Sequence, residues 1–374
     1  IQGGAGTSVN MNANEVICNR ALEIMGHSKG DYRYLHPNNH VNLSQSTNDV
    51  YPTALRIACI WYAQGLIPEL EELEKSFACK GKEFAEVIKM GRTQLQDAVP
   101  MTLGQEFGAF GVTIGEDVQR LKEAIKLLQE INMGATAIGT GINTLPGYSE
   151  LVSSRLADIT GLRLVRSGNL VEATSDTGVF VQLSGILKRI GVKLSKICSD
   201  LRLLSSGPYT GLREINLPPV QPGSSIMPGK VNPVIPEMVN QVCYQVTGND
   251  LTVTMASESG QLQLNVFEPI IAFNLFQSLQ VLTNACSILR RKCIDGITAN
   301  KDTCMQMVRE SCGLTTALVP RIGYEAAADL AREALQGGKS IYDLVLEKGL
   351  LSEEELCECL DPSNMTCPRN FEVK

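Results

Sequence analysis

Apolar residues recur along most of the chain at steps of three and four, the period of an α-helix. Leu103, Phe107, Phe110, Ile114, Val118, Leu121, Ile125 and Leu128 form one such stripe. Leu183, Leu187, Ile190, Leu194, Ile197, Leu201 and Leu204 form a second, alternating steps of four and three as a coiled-coil seam does. From Val266 to Leu289 apolar residues go nearly all round, the mark of a helix buried among others. Period-two stretches are sparse. The pattern predicts an all-α protein, a bundle of long helices over residues 44–303. Residues 1–43 are polar and turn-rich and stand apart from it. From about Cys304 onward helices become short, and Ser352-Glu-Glu-Glu355 before Leu356 predicts a capping box, so 304–374 reads as a small C-terminal helical domain. Long helices with wide apolar faces commonly bury the excess against copies of themselves.

Composition narrows the function classes. The chain has 374 residues, 44% hydrophobic and 20% charged, as expected of a soluble globular protein. A net charge of −7 without a basic run argues against nucleic acid or an anionic membrane surface as partner. No apolar run is long enough to span a bilayer, and no signal peptide is visible. Twelve cysteines are scattered without a CxxC pair, which predicts reduced thiols and a cytoplasmic setting. With only His27, His36 and His40 to supply imidazole, a zinc site is not expected.

Candidate chemistry gathers in four polar stretches. The most informative is Gly223-Ser224-Ser225-Ile226-Met227-Pro228-Gly229-Lys230-Val231-Asn232-Pro233. Its Pro-Gly pair makes it a turn. Pro233 suits the first position of a helix, which would leave Asn232 as N-cap and aim the helix's positive end at the loop. Lys230 adds a full charge there, so a carboxylate fits the place. Two serines lie within reach of such a ligand. Upstream, Gly4-Ala-Gly-Thr7-Ser8 offers close backbone approach and a hydroxyl, but no phosphate-loop spacing. Gln45-Ser46-Thr47-Asn48-Asp49 puts three hydrogen-bonding side chains before the apolar run Ala54–Ala63. Thr47 or Asn48 alone would serve as a helix N-cap, and a cap does not need all three. Gly91-Arg-Thr93-Gln94-Leu-Gln-Asp-Ala-Val-Pro100 separates two helical segments.

These four stretches, in this order, resemble the motifs of the aspartase/fumarase superfamily, and the resemblance covers essentially the whole chain. GSSIMPGKVNP is similar to that family's signature loop. The first residues match the interior of the family's first domain, so 1–43 is expected to be the remainder of an N-terminal domain most of which is missing. The resemblance implies a homotetramer with a central helix bundle and active sites shared between subunits. The substrate it implies is a small dicarboxylate. It assigns Ser224 as catalytic base. Thr7, Ser46, Thr47, Asn48, Thr93, Gln94, Ser225, Lys230 and Asn232 become substrate-binding residues. Arg33, His36 and Asn38 match an accessory dicarboxylate site of fumarases, with Asn39 replacing an acidic residue there. Gly139-Thr-Gly-Ile-Asn-Thr144 matches a pocket-lining stretch that reads as scaffolding. No metal and no cofactor are implied; activation by a divalent ion is left open.

Gln94 departs from the fumarase pattern, which has His at this position. Water leaves well only when protonated, so a hydratase needs an acid near the leaving oxygen. An ammonium group already carries its proton, and a neutral amide suffices to orient it. The expectation is therefore a carbon–nitrogen lyase that reversibly eliminates ammonia, in the anti sense, from L-aspartate to give fumarate. A class II-type fumarate hydratase and a non-catalytic structural protein on the same scaffold are the alternatives. Glu237, the family's partner to the missing His, is left to charge the first turn of its helix. The Pro/Gly-rich lead-in from Pro208 to Pro222 is expected to be mobile.

Overall fold

The structure is a computed structural model that describes residues 1–368. It begins with helix α1 (Thr7–Ile24), where the sequence reading expected turns. Asn-rich, weakly amphipathic sequence conceals this helix, because its inner face is polar: Asn10 and Asn14 are buried beside Cys18 and Leu22. A single π turn (Pro37–Val41) leads to α2 (Thr47–Glu83). A hairpin of β1 (Ile88–Thr93) and β2 (Gln96–Thr102) precedes α3 (Leu103–Leu128). Then come β3 (Glu130–Ile131), α4 (Tyr148–Thr160), β4 (Val165–Arg166), α5 (Leu170–Ser175) and α6 (Gly178–Leu204). The short β5 (Ile215–Asn216) is followed by α7 (Val234–Glu258) and α8 (Glu268–Lys292). β6 (Thr298–Ala299) pairs with β5.

The chain folds as two compact units. The first comprises residues 1–71, 114–195 and 239–287; the second comprises 72–113, 196–238 and 288 onward. In the first unit the core is the apolar stripes themselves. Ile60 and Leu66 of α2, Ile114 and Leu121 of α3, Leu183 and Leu194 of α6, Val239 of α7 and Leu275 and Leu282 of α8 are at most 1% exposed. At roughly 1.5–3 kcal/mol for each such side chain, burial of these stripes outweighs the modest helix propensity of their β-branched members.

In the second unit Phe77, Phe84, Phe107 and Phe110 stack edge-on and tilted, with ring centroids 5.2–6.2 Å apart. A separate cluster joins Ile88 and Met90 of the hairpin to short C-terminal helices, through Val308, Leu318, Leu330, Leu344 and Leu356. The expected capping box is present: Ser352 Oγ accepts from Glu355 N–H while the Glu355 carboxylate accepts from Ser352 N–H. Among the described residues no helix is long and apolar enough to cross a membrane.

Candidate active site

The first unit carries Thr7, Ser46, Thr47 and Asn48. Thr7 opens α1, and its exposed hydroxyl donates to the Gly4 carbonyl at 2.7 Å. Gly6 precedes it with φ 92°, and a Cβ there would lie 2.3 Å from the Tyr51 ring, so the turn that presents Thr7 requires glycine. Ser46, rather than Thr47 or Asn48, caps α2. Its Oγ accepts from Asn48 N–H, and the Asp49 carboxylate accepts from Ser46 N–H, a reciprocal box. Thr47 and Asn48 are thereby released from capping. Asn48 Nδ2 donates to the Ala137 carbonyl at 2.7 Å, and Thr47 Oγ1 accepts from Asn10. Asp49 is fully buried and also accepts from Gly134 and Thr136 N–H. Burial pushes its carboxyl up to about 6, against the pull of those N–H groups.

The accessory residues are engaged locally. Arg33 pairs with Asp31 at 2.8 Å. His36 Nδ1 accepts from Asn38 and Asn39 N–H and caps the π turn.

The second unit carries the other stretches. Thr93 and Gln94 are exposed at the tip of the β1–β2 hairpin, whose register pairs Thr93 with Gln96. Gln94 and Leu95 form a two-residue turn with φ of 54° and 61°, a left-handed conformation that neither residue favours. The hairpin is anchored by a buried ionic group that sequence reading did not find. Arg92 pairs with Glu214, whose side chain is fully buried, and Lys89 pairs with both Glu214 (2.7 Å) and Glu106 (2.6 Å). Glu214 directly precedes β5, so one carboxylate holds both the Gln94 hairpin and the strand that leads to the signature loop.

The signature loop is closed at its neck. Gly223 N–H donates to the Lys230 carbonyl at 2.9 Å, and Asn232 Nδ2 donates to the Gly223 carbonyl at 2.7 Å. A Cβ on Gly223 would lie 2.1 Å from that Lys230 carbonyl, which explains the glycine. Asn232 is thus a loop clasp and not the expected N-cap: α7 starts at Val234, and the Pro233 carbonyl accepts from Glu237 N–H. Glu237 does lie in the first turn, exposed. Inside the loop Ser224 Oγ accepts from the N–H groups of Ile226 (3.2 Å) and Met227 (3.0 Å). Ser225 and Lys230 are exposed. Lys230 and Asn232 line a cavity of about 510 Å³ with Arg202, Ser206 and Arg213. Gln94 lines another, of about 290 Å³, with Lys89, Arg92 and Lys196. Within this unit Lys230 and Asn232 therefore line one cavity and Gln94 another.

Residues 1–248 match a family model described as "Lyase", and residues 314–367 one described as "Fumarase C C-terminus". The chain belongs to the aspartase/fumarase family of lyases. An aspartate ammonia-lyase of Pseudomonas fluorescens is 62% identical over 375 residues, all of this chain and 78% of that protein. Among solved structures, a Brucella melitensis protein described as fumarate lyase:delta crystallin bound to cobalt superposes with TM-score 0.95 at 59% identity, over 98% of this chain and 80% of that one. A class II fumarase from Schistosoma mansoni gives TM-score 0.95 at 37% identity, over 99% and 80%. Lyase membership agrees with what the geometry provides: exposed hydroxyl and amide side chains, a loop that carries Lys230, and a serine whose oxygen receives two N–H groups. Among the described residues no group of three or more His, Cys, Asp or Glu is placed to hold a metal ion.

Proposed function

We propose that this chain catalyses the reversible anti-elimination of ammonia from L-aspartate to give fumarate. Aspartate ammonia-lyases 56–62% identical to it over nearly its full length support the reaction. The observation that decides between leaving groups is Gln94. It presents a neutral amide at the hairpin tip, where a hydratase needs a protonatable group for departing water.

The proton to be lost sits on Cβ and is very weakly acidic. Its removal is feasible only as charge spreads into the β-carboxylate, so donors aimed at that group contribute most. Thr7, Ser46, Thr47 and Ser225 are assigned to the β-carboxylate. Asn48 and Gln94 are assigned to the amino group. Thr93, Lys230 and Asn232 are assigned to the α-carboxylate. Asn232 Nδ2 already donates to Gly223 within the loop, so its amide reaches substrate only through its second N–H or after the clasp opens. Ser224 is assigned as base, supported by the two N–H groups that would stabilise its alkoxide.

A homotetramer whose active sites take ligands from more than one copy is the assembly proposed. Tyr244, Leu251 and Met255 support it: they share one face of α7, and each is 62% exposed in the isolated chain. The cytoplasm is proposed as its location, supported by twelve cysteines scattered without a CxxC pair. The test is the ultraviolet absorbance of fumarate after mixing the protein with L-aspartate and, separately, with L-malate. A rise with aspartate alone is expected; a rise with malate alone would overturn the reading of Gln94.

A further inference from the structure

Behind Thr47, within the first unit, lies a chain of three amides, two of them buried and one partly so. Asn10 and Asn14 sit one turn apart on the inner face of α1, 8% and 6% exposed, and Asn42 stands beside them. The direction of every hydrogen bond in this chain is forced from one end. Asn42 Nδ2 donates to the Gln45 carbonyl at 3.2 Å, and a carbonyl can only accept. Asn42 Oδ1 must therefore face the other amides. It accepts from Asn10 Nδ2 at 3.2 Å and from Asn14 Nδ2 at 3.0 Å. With its nitrogen so turned, Asn10 offers Oδ1 to Asn14 at 3.1 Å and its second N–H to Thr47 Oγ1 at 3.1 Å.

Thr47 Oγ1 is thus an obligate acceptor toward Asn10. Its hydroxyl hydrogen has to point elsewhere, and Thr47 is only partly buried. A threonine at a helix start is otherwise free to turn its O–H onto nearby backbone carbonyls. We propose that Asn10 is a positioning residue that fixes the Thr47 hydroxyl as a donor to the substrate's β-carboxylate, with Asn42 and Asn14 holding the sense of the relay. This rests on the aspartate reading above. The physical gain is preorganisation: a donor already aimed where negative charge accumulates needs no reorientation in the transition state. The polar inner face of α1 then has a purpose that a structural helix would meet more cheaply with leucine.

Asn10→Asp tests this, because it keeps the shape and reverses the bond. The ionised carboxylate of that variant accepts from Thr47 and pulls the hydroxyl inward. Turnover of aspartate is expected to fall by up to roughly 10²–10³-fold in kcat, the scale of losing one such donor, with a much smaller change in KM. The deficit should shrink as pH is lowered, since the same carboxyl group, once protonated, donates as the amide does. Combined with Thr47→Val, Asn10→Asp should cost little more than Thr47→Val alone. Wild-type kcat in Asn10→Asp, a deficit that does not change with pH, or losses that multiply in the double variant would each overturn the proposal. If Asn10→Asp fails to fold by circular dichroism, Asn10→Ala carries the test. Water there can bond in either sense, so a loss of roughly 3–10-fold that vanishes in the Thr47→Val background is expected. Wild-type kcat in Thr47→Val would overturn the proposal while leaving the lyase reading intact. No fumarate from the wild-type protein and aspartate would overturn that reading and the proposal with it.

Discussion

A serine hydroxyl is a poor base unless its alkoxide is stabilised. At Ser224 the loop supplies that stabilisation in advance, through the N–H groups of Ile226 and Met227, and Lys230 closes the same loop through its carbonyl. Replacing Ser224 with Ala should lower kcat by roughly 10²–10⁴-fold, the contribution of a positioned base, with KM changed less than about tenfold. Steady-state kinetics with aspartate check this; near-normal turnover would remove Ser224 from the role. Glu268, the first residue of α8, gives a residue-scale prediction for stability. Burial pushes its carboxyl from the ordinary 4.5 up to about 8, opposed by Arg56. The folded chain thus retains a proton that the unfolded chain releases, so its contribution to stability falls as pH rises from about 4.5 to about 8. Glu268→Gln should flatten this slope and gain melting temperature relative to wild type near pH 8, as thermal denaturation across that range would reveal. How far single residues were legible varies with how local their partners are. Ser46, Thr47 and Asn48 stood out because a cap does not need three polar residues. The cap itself was misplaced because the box closes through Asp49, whose carboxylate also accepts from Gly134 and Thr136 N–H, distant in sequence. Nothing local marks Asn10 as anything but a turn former.

Elements with wide apolar stripes were legible throughout, since periodicity reports packing directly. Every residue of the two stripes in α3 and α6 is at most 9% exposed. The β1–β2 hairpin escaped because its turn carries none of the usual signals: Gln94 and Leu95 hold left-handed backbone without a Gly or Asn. Glu214 ties Arg92 and Lys89 in the strand before that turn. Relieving the strain at the position that lacks a proposed ligand role should therefore stabilise. Leu95 is 72% exposed, so Leu95→Asn sacrifices little burial. An increase of roughly 0.5–1 kcal/mol is expected, because Asn tolerates φ > 0 better than Leu. Urea denaturation measures it, and unchanged kcat would show that Gln94 keeps its place. A loss of stability would mean that Leu95 is covered in the assembled protein.

At the scale of the molecule, the predicted ligands divide between the two units. Thr7, Ser46, Thr47 and Asn48 belong to the first unit; in the second, Gln94 and Lys230 line different cavities. Sequence motifs name which residues are expected to face substrate but not which unit or copy supplies them. If copies complete one another's sites, assembly and catalysis must fail together. The face of α7 bearing Tyr244, Leu251 and Met255 is the place to break them. Leu251→Glu would put a charge into the proposed contact, where burying it unpaired costs several kcal/mol, yet leaves the exposed position harmless to the isolated chain. Light scattering should then report species smaller than four copies, and aspartate turnover should fall with them and recover in part at higher protein concentration. Helix content by circular dichroism should stay at the wild-type level. Full activity from dissociated chains would show that each copy holds a complete site and would overturn the shared-site proposal.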